Sequence, residues 1–247
     1  MVKILWSMLL FSCLLWANDI HYSFQTSSST PYQNEAVLLE VNLSQEDHSK
    51  VMLFNFSPKK SDAYDFHQVS FKESDNYHDL KHFYRYVIYP KKVGKVAVAF
   101  ELVKSLTDDD KVAYAISGDR DNVKGLVKKD IPVAVTPLVL NVKSVPKSTD
   151  LVGDFTLSYS LDKTTTNAYA PIQLKVELKG IGKLTSFALL EKSAKYHLFT
   201  QQPKLQNFHM VAGTKSALTW EYAISAKESF VLPKVVLNGF NPKTQKS

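Results

Sequence analysis

From Ile20 onward, apolar and polar residues alternate with a period of two, the spacing of a strand with one buried and one wet face. Ile20, Tyr22 and Phe24 alternate with His21 and Ser23, and Val37, Leu39, Val41 and Leu43 alternate with Glu40 and Asn42. Residues 83–89, 96–102 and 113–116 continue the series and are rich in the aromatic and β-branched types that suit a pleated surface. Later, Phe155, Leu157, Tyr159 and Leu161 alternate with Thr156, Ser158 and Ser160. Ile172, Leu174, Val176 and Leu178 face one way, and Gln173, Lys175, Glu177 and Lys179 the other. No long stretch keeps an apolar stripe at helical spacing; residues 186–198 come nearest and read as strand and loop. The pattern predicts an all-β fold of antiparallel sheets with one wet face. It also predicts Phe155, Leu157, Ile172, Leu174 and Val176 as core positions, with Lys175 and Glu177 in solvent.

The chain repeats itself. Asn34-Glu35-Ala36-Val37-Leu38-Leu39-Glu40-Val41-Asn42-Leu43 echoes Tyr169-Ala170-Pro171-Ile172-Gln173-Leu174-Lys175-Val176-Glu177-Leu178, at an offset of 135 (34 to 169). Tyr86-Val87-Ile88-Tyr89-Pro90-Lys91 echoes Tyr222-Ala223-Ile224-Ser225-Ala226-Lys227, at an offset of 136 (86 to 222). Two anchors in one order at nearly one offset predict tandem copies of one domain. Between them lie Pro132 and Pro137, which fix φ and withhold ladder donors, so this stretch reads as a stiff connector or an edge strand. The expected organisation is a signal peptide over 1–17, one β-sandwich over 18–137 and a second over 138–247. Each half has the size of an immunoglobulin-like sandwich.

The amino terminus reads as an export signal. Lys3 precedes an almost wholly apolar run from Ile4 to Ala17, too short to cross a bilayer core of about 30 Å but long enough for a secretory h-region. Cleavage is expected after Ala17, before Asn18. Lipidation at Cys13 is the lesser alternative, because Leu10-Phe11-Ser12-Cys13 makes a poor lipobox. Cys13 is the only cysteine, so the cleaved chain would hold no disulfide and no thiolate site. An exported, disulfide-free β protein fits a bacterial periplasm.

Composition narrows the classes. With 45% apolar and 12% aromatic residues the chain is neither a disordered tail nor a collagen. The net charge of +6 is spread in runs as short as Lys59-Lys60, Lys91-Lys92 and Lys128-Lys129, a solvated surface rather than a nucleic-acid track. His78 and His82 are four apart, yet no general-base glutamate adjoins His78, and both read as solvated loop histidines. Asp108-Asp109-Asp110 and Gly118-Asp119-Arg120-Asp121 lack the alternating ligands of a calcium loop and read as charged hairpin tips. Lys179-Gly180-Ile181-Gly182-Lys183-Leu184 reads as a turn rather than a dinucleotide loop. Asn42-Leu43-Ser44 is a glycan sequon on a strand, best read as chance. No serine-nucleophile elbow occurs. No metal, cofactor or catalytic residue is expected.

A family resemblance rests on residues 132–184. Pro137-Leu138 and Val145-Pro146 are followed by Val152-Gly153-Asp154-Phe155-Thr156-Leu157, Ala170-Pro171-Ile172-Gln173-Leu174 and Lys179-Gly180-Ile181-Gly182-Lys183-Leu184. Trp220-Glu221-Tyr222, Val231-Leu232-Pro233-Lys234-Val235 and Phe240-Asn241-Pro242 extend the likeness. In this order the segments resemble the BatD oxygen-tolerance family. Lys183 stands where that family commonly has Asn, and no membrane span follows Asn241 as one does in family members. The resemblance implies an envelope protein with periplasmic β-domains. It also implies a system containing von Willebrand factor A domain proteins and a MoxR-type ATPase.

The expected function is therefore a non-enzymatic periplasmic protein-interaction module docking to von Willebrand factor A-type partners. The alternative is an envelope ligand-binding protein or hydrolase with a site in the interdomain cleft. Within the aromatic and basic stretch 77–92, alternation places Tyr84, Tyr86 and Ile88 toward the core and Phe83, Arg85 and Tyr89 on the other face. Arginine and tyrosine are enriched at binding hot spots, so Phe83, Arg85 and Tyr89 form the candidate docking face. If the partner is a von Willebrand factor A protein, as the resemblance implies, its metal site would take a carboxylate from outside, which the 108–110 tip could supply.

Overall fold

The computed structural model describes residues 19–74, 76, 78–107 and 129–246. The signal segment with Cys13, the 108–110 tip, residues 113–116 and the 118–121 tip lie outside the described residues. Every described element is a strand, so the fold is all-β. By their contacts the described residues fall into two compact units. The first runs up to Pro31 and over Val37–Lys143; the second takes Tyr32–Ala36 and the chain from Ser144 onward.

Unit 1 contains β1 (Ile20–Thr26), β2 (Val37–Gln45), β3 (Val51–Pro58), β4 (Tyr64–Glu73), β5 (Lys81–Pro90), β6 (Gly94–Val98), β7 (Phe100–Thr107), β8 (Lys129–Val133) and β9 (Leu138–Val142). One sheet runs β1-β2-β5-β4, a second β3-β7-β8, and β6 pairs with β9. The inward sides of these sheets share one core, from Ile20, Tyr22 and Val41 to Phe56, Tyr86, Phe100 and Leu140. Rings fill its centre: Phe24 stacks on Phe100 at 4.6 Å, and Phe56 stacks on Phe100 at 5.3 Å. Such aromatic pairs add about 0.5–1.5 kcal/mol each beyond their burial. The strand Leu138–Val142, expected to open the second half, pairs with β6 instead and buries Leu140 and Val142 in this core. The first unit therefore extends to Lys143 rather than to residue 137. Pro132 sits in β8, an edge strand, the place in a sheet where proline is tolerated.

Unit 2 contains β10 (Leu151–Leu161), β11 (Ile172–Gly182), β12 (His197–Thr200), β13 (Lys204–Met210), β14 (Gly213–Ser225) and β15 (Gly239–Phe240). They form a sheet in the order β12-β14-β11-β10-β15, with β13 also on β14. Its core face carries Leu174, Val176, Leu178, Leu218, Trp220, Tyr222 and Ile224. No second described sheet covers that face. Irregular chain does so, through Leu184, Phe187, Leu190, Tyr196, Phe230 and Leu232. Two side chains pin this cover: Trp220 Nε1–H donates to the Phe187 carbonyl at 2.7 Å, and the Tyr222 hydroxyl accepts from the Leu190 N–H at 3.3 Å.

The internal repeat reappears as geometry within each unit. Val37 pairs with Ile88 across β2 and β5, and their counterparts Ile172 and Ile224 pair across β11 and β14. Ser27 N–H donates to the Leu38 carbonyl at 3.0 Å, and Asp162 N–H, 135 residues on, donates to the Gln173 carbonyl at 3.1 Å. The side chains of Ser27 and Asp162 take the return bonds from Leu38 and Gln173. Even the left-handed residues coincide, Asn34 at φ 61° and Tyr169 at φ 63°. β1, β2 and β5 thus correspond to β10, β11 and β14.

Two details of unit 2 differ from expectation. Lys179 to Gly182 is no turn but the end of β11, and its glycines seat a ring. Phe155 lies opposite Gly180, and a Cβ on Gly182 would stand 2.6 Å from the Phe155 ring. On Gly180 it would stand 2.7 Å from the Phe155 Cα. The Gly153, Phe155, Gly180 and Gly182 positions of the family-like motif therefore form one packing unit. Second, Leu174 and Val176 are buried as expected, but Phe155 and Ile172 are only half-buried and Leu157 is exposed. The wet face agrees with the pattern: Glu177 takes Lys175 at 2.9 Å and Lys179 at 2.7 Å.

These contacts set a graded series. Leu174→Ala should cost about 2–5 kcal/mol, and Gly180→Ala about 1–3 kcal/mol through overpacking. Leu157→Ala and Lys175→Ala should stay within about 0.5 kcal/mol. Denaturant titration of each variant reads the series, and equal losses at Leu174 and Leu157 would contradict it.

Candidate functional site

The face proposed from sequence is partly dismantled by burial. Phe83 and Arg85 lie half-buried on β5, and the guanidinium sits 4.8 Å from the Phe83 ring centre. Arg85 Nε donates to Glu40 Oε1 on β2 at 2.7 Å, so its charge is already matched. Tyr89 is 0% exposed, and so is Val87 beside it. β5 lies between β2 and β4, and its final turn of sequence is buried on both faces, which simple alternation does not anticipate. Phe83 and Arg85 come together; Tyr89 does not join them as a surface group. Tyr84, Tyr86 and Ile88 line the core as expected.

Of the two histidines singled out by spacing, His78 lies in the loop before β5 as expected, and His82 does not. His48 Nδ1 lies 2.6 Å from the His78 carbonyl and His78 Nδ1 lies 3.1 Å from the His48 carbonyl, so each ring donates to the other's backbone. His82 is no loop residue. It is buried on β5, edge-on to Phe54 and Phe71, with Nδ1 3.0 Å from the Tyr84 hydroxyl and Nε2 3.4 Å from Glu73 Oε2. With Nε2–H turned to the carboxylate, Nδ1 accepts from Tyr84 O–H. Burial lowers the pKa of His82, and Glu73 offsets this only in part. Burial, helped by Glu73, pushes Tyr84 up to about 12. Among the described residues no group of three or more His, Cys, Asp or Glu could hold a metal ion.

The most exposed apolar surface lies in unit 2. On β10, Leu157 and Leu161 are each 40% exposed and Tyr159 is 76% exposed, all with inward-facing side chains. Together with Phe230, Val231 and Leu232 of the irregular cover they line an open groove of about 1310 Å³. Val231 on the opposite wall is 88% exposed. Unit 1 shows what this face normally meets. Phe24, the counterpart of Tyr159, is covered by Phe56 of β3 and Phe100 of β7. The described part of unit 2 supplies no counterpart of those strands over Tyr159. The sequence shows the alternation of Phe155, Leu157, Tyr159 and Leu161, but a period of two does not say whether a second layer lies above it.

No protein-family model matches the chain, and no curated protein matches it.

His82 gives the first unit a defined pH response. Its folded pKa is lowered, so the unfolded chain binds the proton more tightly and acid favours unfolding. The stabilisation is complete above the ordinary value of about 6.5 and is lost as the pH falls from there toward the lowered folded value. His209, lowered by burial and by Lys183, acts in the same direction in unit 2. Denaturation midpoints between about pH 7 and pH 5 should fall with acid in the wild type and fall less in His82→Phe. An unchanged slope in that variant would contradict the assignment.

Proposed function

We propose that the protein is a non-enzymatic interaction module of the cell envelope, exported by its amino-terminal signal and working by docking protein partners. One observation carries this reading: Leu157, Tyr159, Leu161 and Val231 stand exposed around one concave apolar face. Contiguous exposed apolar surface costs a free protein solubility, and it marks partner sites. Tyrosine is also among the residue types that dominate binding energy. The resemblance to the BatD family supports an envelope location and von Willebrand factor A-type proteins, in a MoxR-linked system, as the partners. The docking surface moves from the β5 face to unit 2, because Tyr89 is buried and Arg85 is paired with Glu40.

A photo-crosslinking amino acid tests the assignment in cells. At position 159 it should capture a von Willebrand factor A-type protein, and Leu157→Lys should reduce that capture at least tenfold. Capture from position 85 but not from position 159 would return the interface to β5 and overturn the groove.

A further inference from the structure

We propose that the partner enters the groove as an extended acidic peptide segment, added as a new strand to the free edge of β10. This rests on the docking reading above and names the occupant of the same site.

Asp162 N–H donates to the Gln173 carbonyl, so in the β10–β11 ladder the even-numbered residues of β10 turn their N–H and C=O groups toward β11. The odd-numbered residues turn theirs away. Leu151 confirms the phase, since its N–H donates to the Asn238 carbonyl beside β15. β15 pairs only with Leu151 and Val152. Beyond it, no described strand accompanies Phe155, Leu157, Tyr159 and Leu161, whose donors and acceptors point outward from the edge. The same four residues send their side chains into the groove. One row of residues therefore offers both unpaired backbone groups and exposed apolar side chains. A strand with apolar residues at every second position engages both at once. A lipid chain covers the side chains but leaves the backbone unmatched.

Charge selects the peptide. Unit 2 holds 13 lysines and no arginine against 8 carboxylates, a net of +5, nearly all of the chain's +6. On the wet face Thr156 pairs with Lys179 and Ser160 with Lys175, and these two lysines share one carboxylate, Glu177. An added strand would therefore present its polar side chains beside Thr156, Ser158 and Ser160, with Lys175 and Lys179 next in the row, while Asp154 and Asp162 stand at the two ends of the same β10 row and confine the acidic positions to its middle. Acidic residues at those positions fit. A second copy of this chain would bring one unit of net +5 against another.

The test uses the full chain and labelled synthetic peptides about seven residues long, alternating valine with glutamate or valine with lysine. A third peptide is the glutamate version with its backbone N-methylated at alternate residues. The glutamate peptide should bind at least tenfold more tightly than either of the others. Its binding should slow amide exchange at Phe155, Leu157, Tyr159 and Leu161 and leave Tyr22 and Phe24 on β1 unchanged. Leu157→Pro removes one outward N–H and no bond to β11, and it should weaken binding at least tenfold. If that variant unfolds, the N-methylated peptide asks the same question of the wild type. Equal binding of the N-methylated peptide overturns strand addition, as does absence of glutamate-peptide binding or a dimer formed through β10. Crosslinking at position 159 is read separately, so docking at the groove stands or falls independently of the strand.

Discussion

Each residue of an extended strand sends its side chain to one face and its backbone polar groups to one edge, and a stable sheet must answer both. β10 has an answer on only one side. Its even-numbered residues bond to β11 and meet solvent with Thr156, Ser158 and Ser160. Its odd-numbered residues face an edge with no described strand beyond Val152 and a groove with no second described sheet above it. That one-sided strand leaves Leu157, Tyr159 and Leu161 exposed side by side.

The two units solve the same packing problem with different material. In unit 1, strands β3, β6, β7 and β9 close over the β1-β2-β5 face, and Phe24, Phe56 and Phe100 interlock at its centre. In unit 2 the cover is irregular chain, fixed to the sheet by the Trp220 and Tyr222 hydrogen bonds and by rings such as Phe187 against Trp220 at 5.1 Å. This cover buries Leu174, Val176 and Leu178 of β11 and Leu218, Trp220, Tyr222 and Ile224 of β14, and reaches β10 only at its start, where Phe155 lies across Gly180 and Gly182. Glycines opposite an aromatic ring let it lie flat on the neighbouring strand, which compensates for their own lack of side chain.

Much of this was legible in the sequence because it depends on local pattern. Alternation identified the strands, and the echo of residues 34–43 in 169–178 reappears as shared register down to the Ser27 and Asp162 hydrogen bonds. What was not legible depends on layers. Alternation assigns a face to Tyr89 and to Leu157 but does not say what covers each face, so pattern alone predicts an exposed Tyr89 and a buried Leu157. Lys179-Gly180-Ile181-Gly182 has the composition of a turn, and the ring that its glycines seat, Phe155, lies 25 residues earlier in the chain. His82 looked solvated because its aromatic neighbours Phe54 and Phe71 come from other strands. The boundary of unit 1 was placed at the prolines because the pairing of β9 with β6 is a long-range fact.

The inner sheet face is open at Tyr159 and closed at the equivalent place in unit 1, where Phe24 lies under Phe56 and Phe100. Tyrosine-selective nitration of the free protein, read residue by residue by mass spectrometry, addresses it directly. The account predicts rapid modification of Tyr159, which is 76% exposed, and slow modification of Tyr84, Tyr86 and Tyr89, which are buried. Modification of Tyr159 as slow as that of Tyr89 would show the face to be covered and would contradict the account.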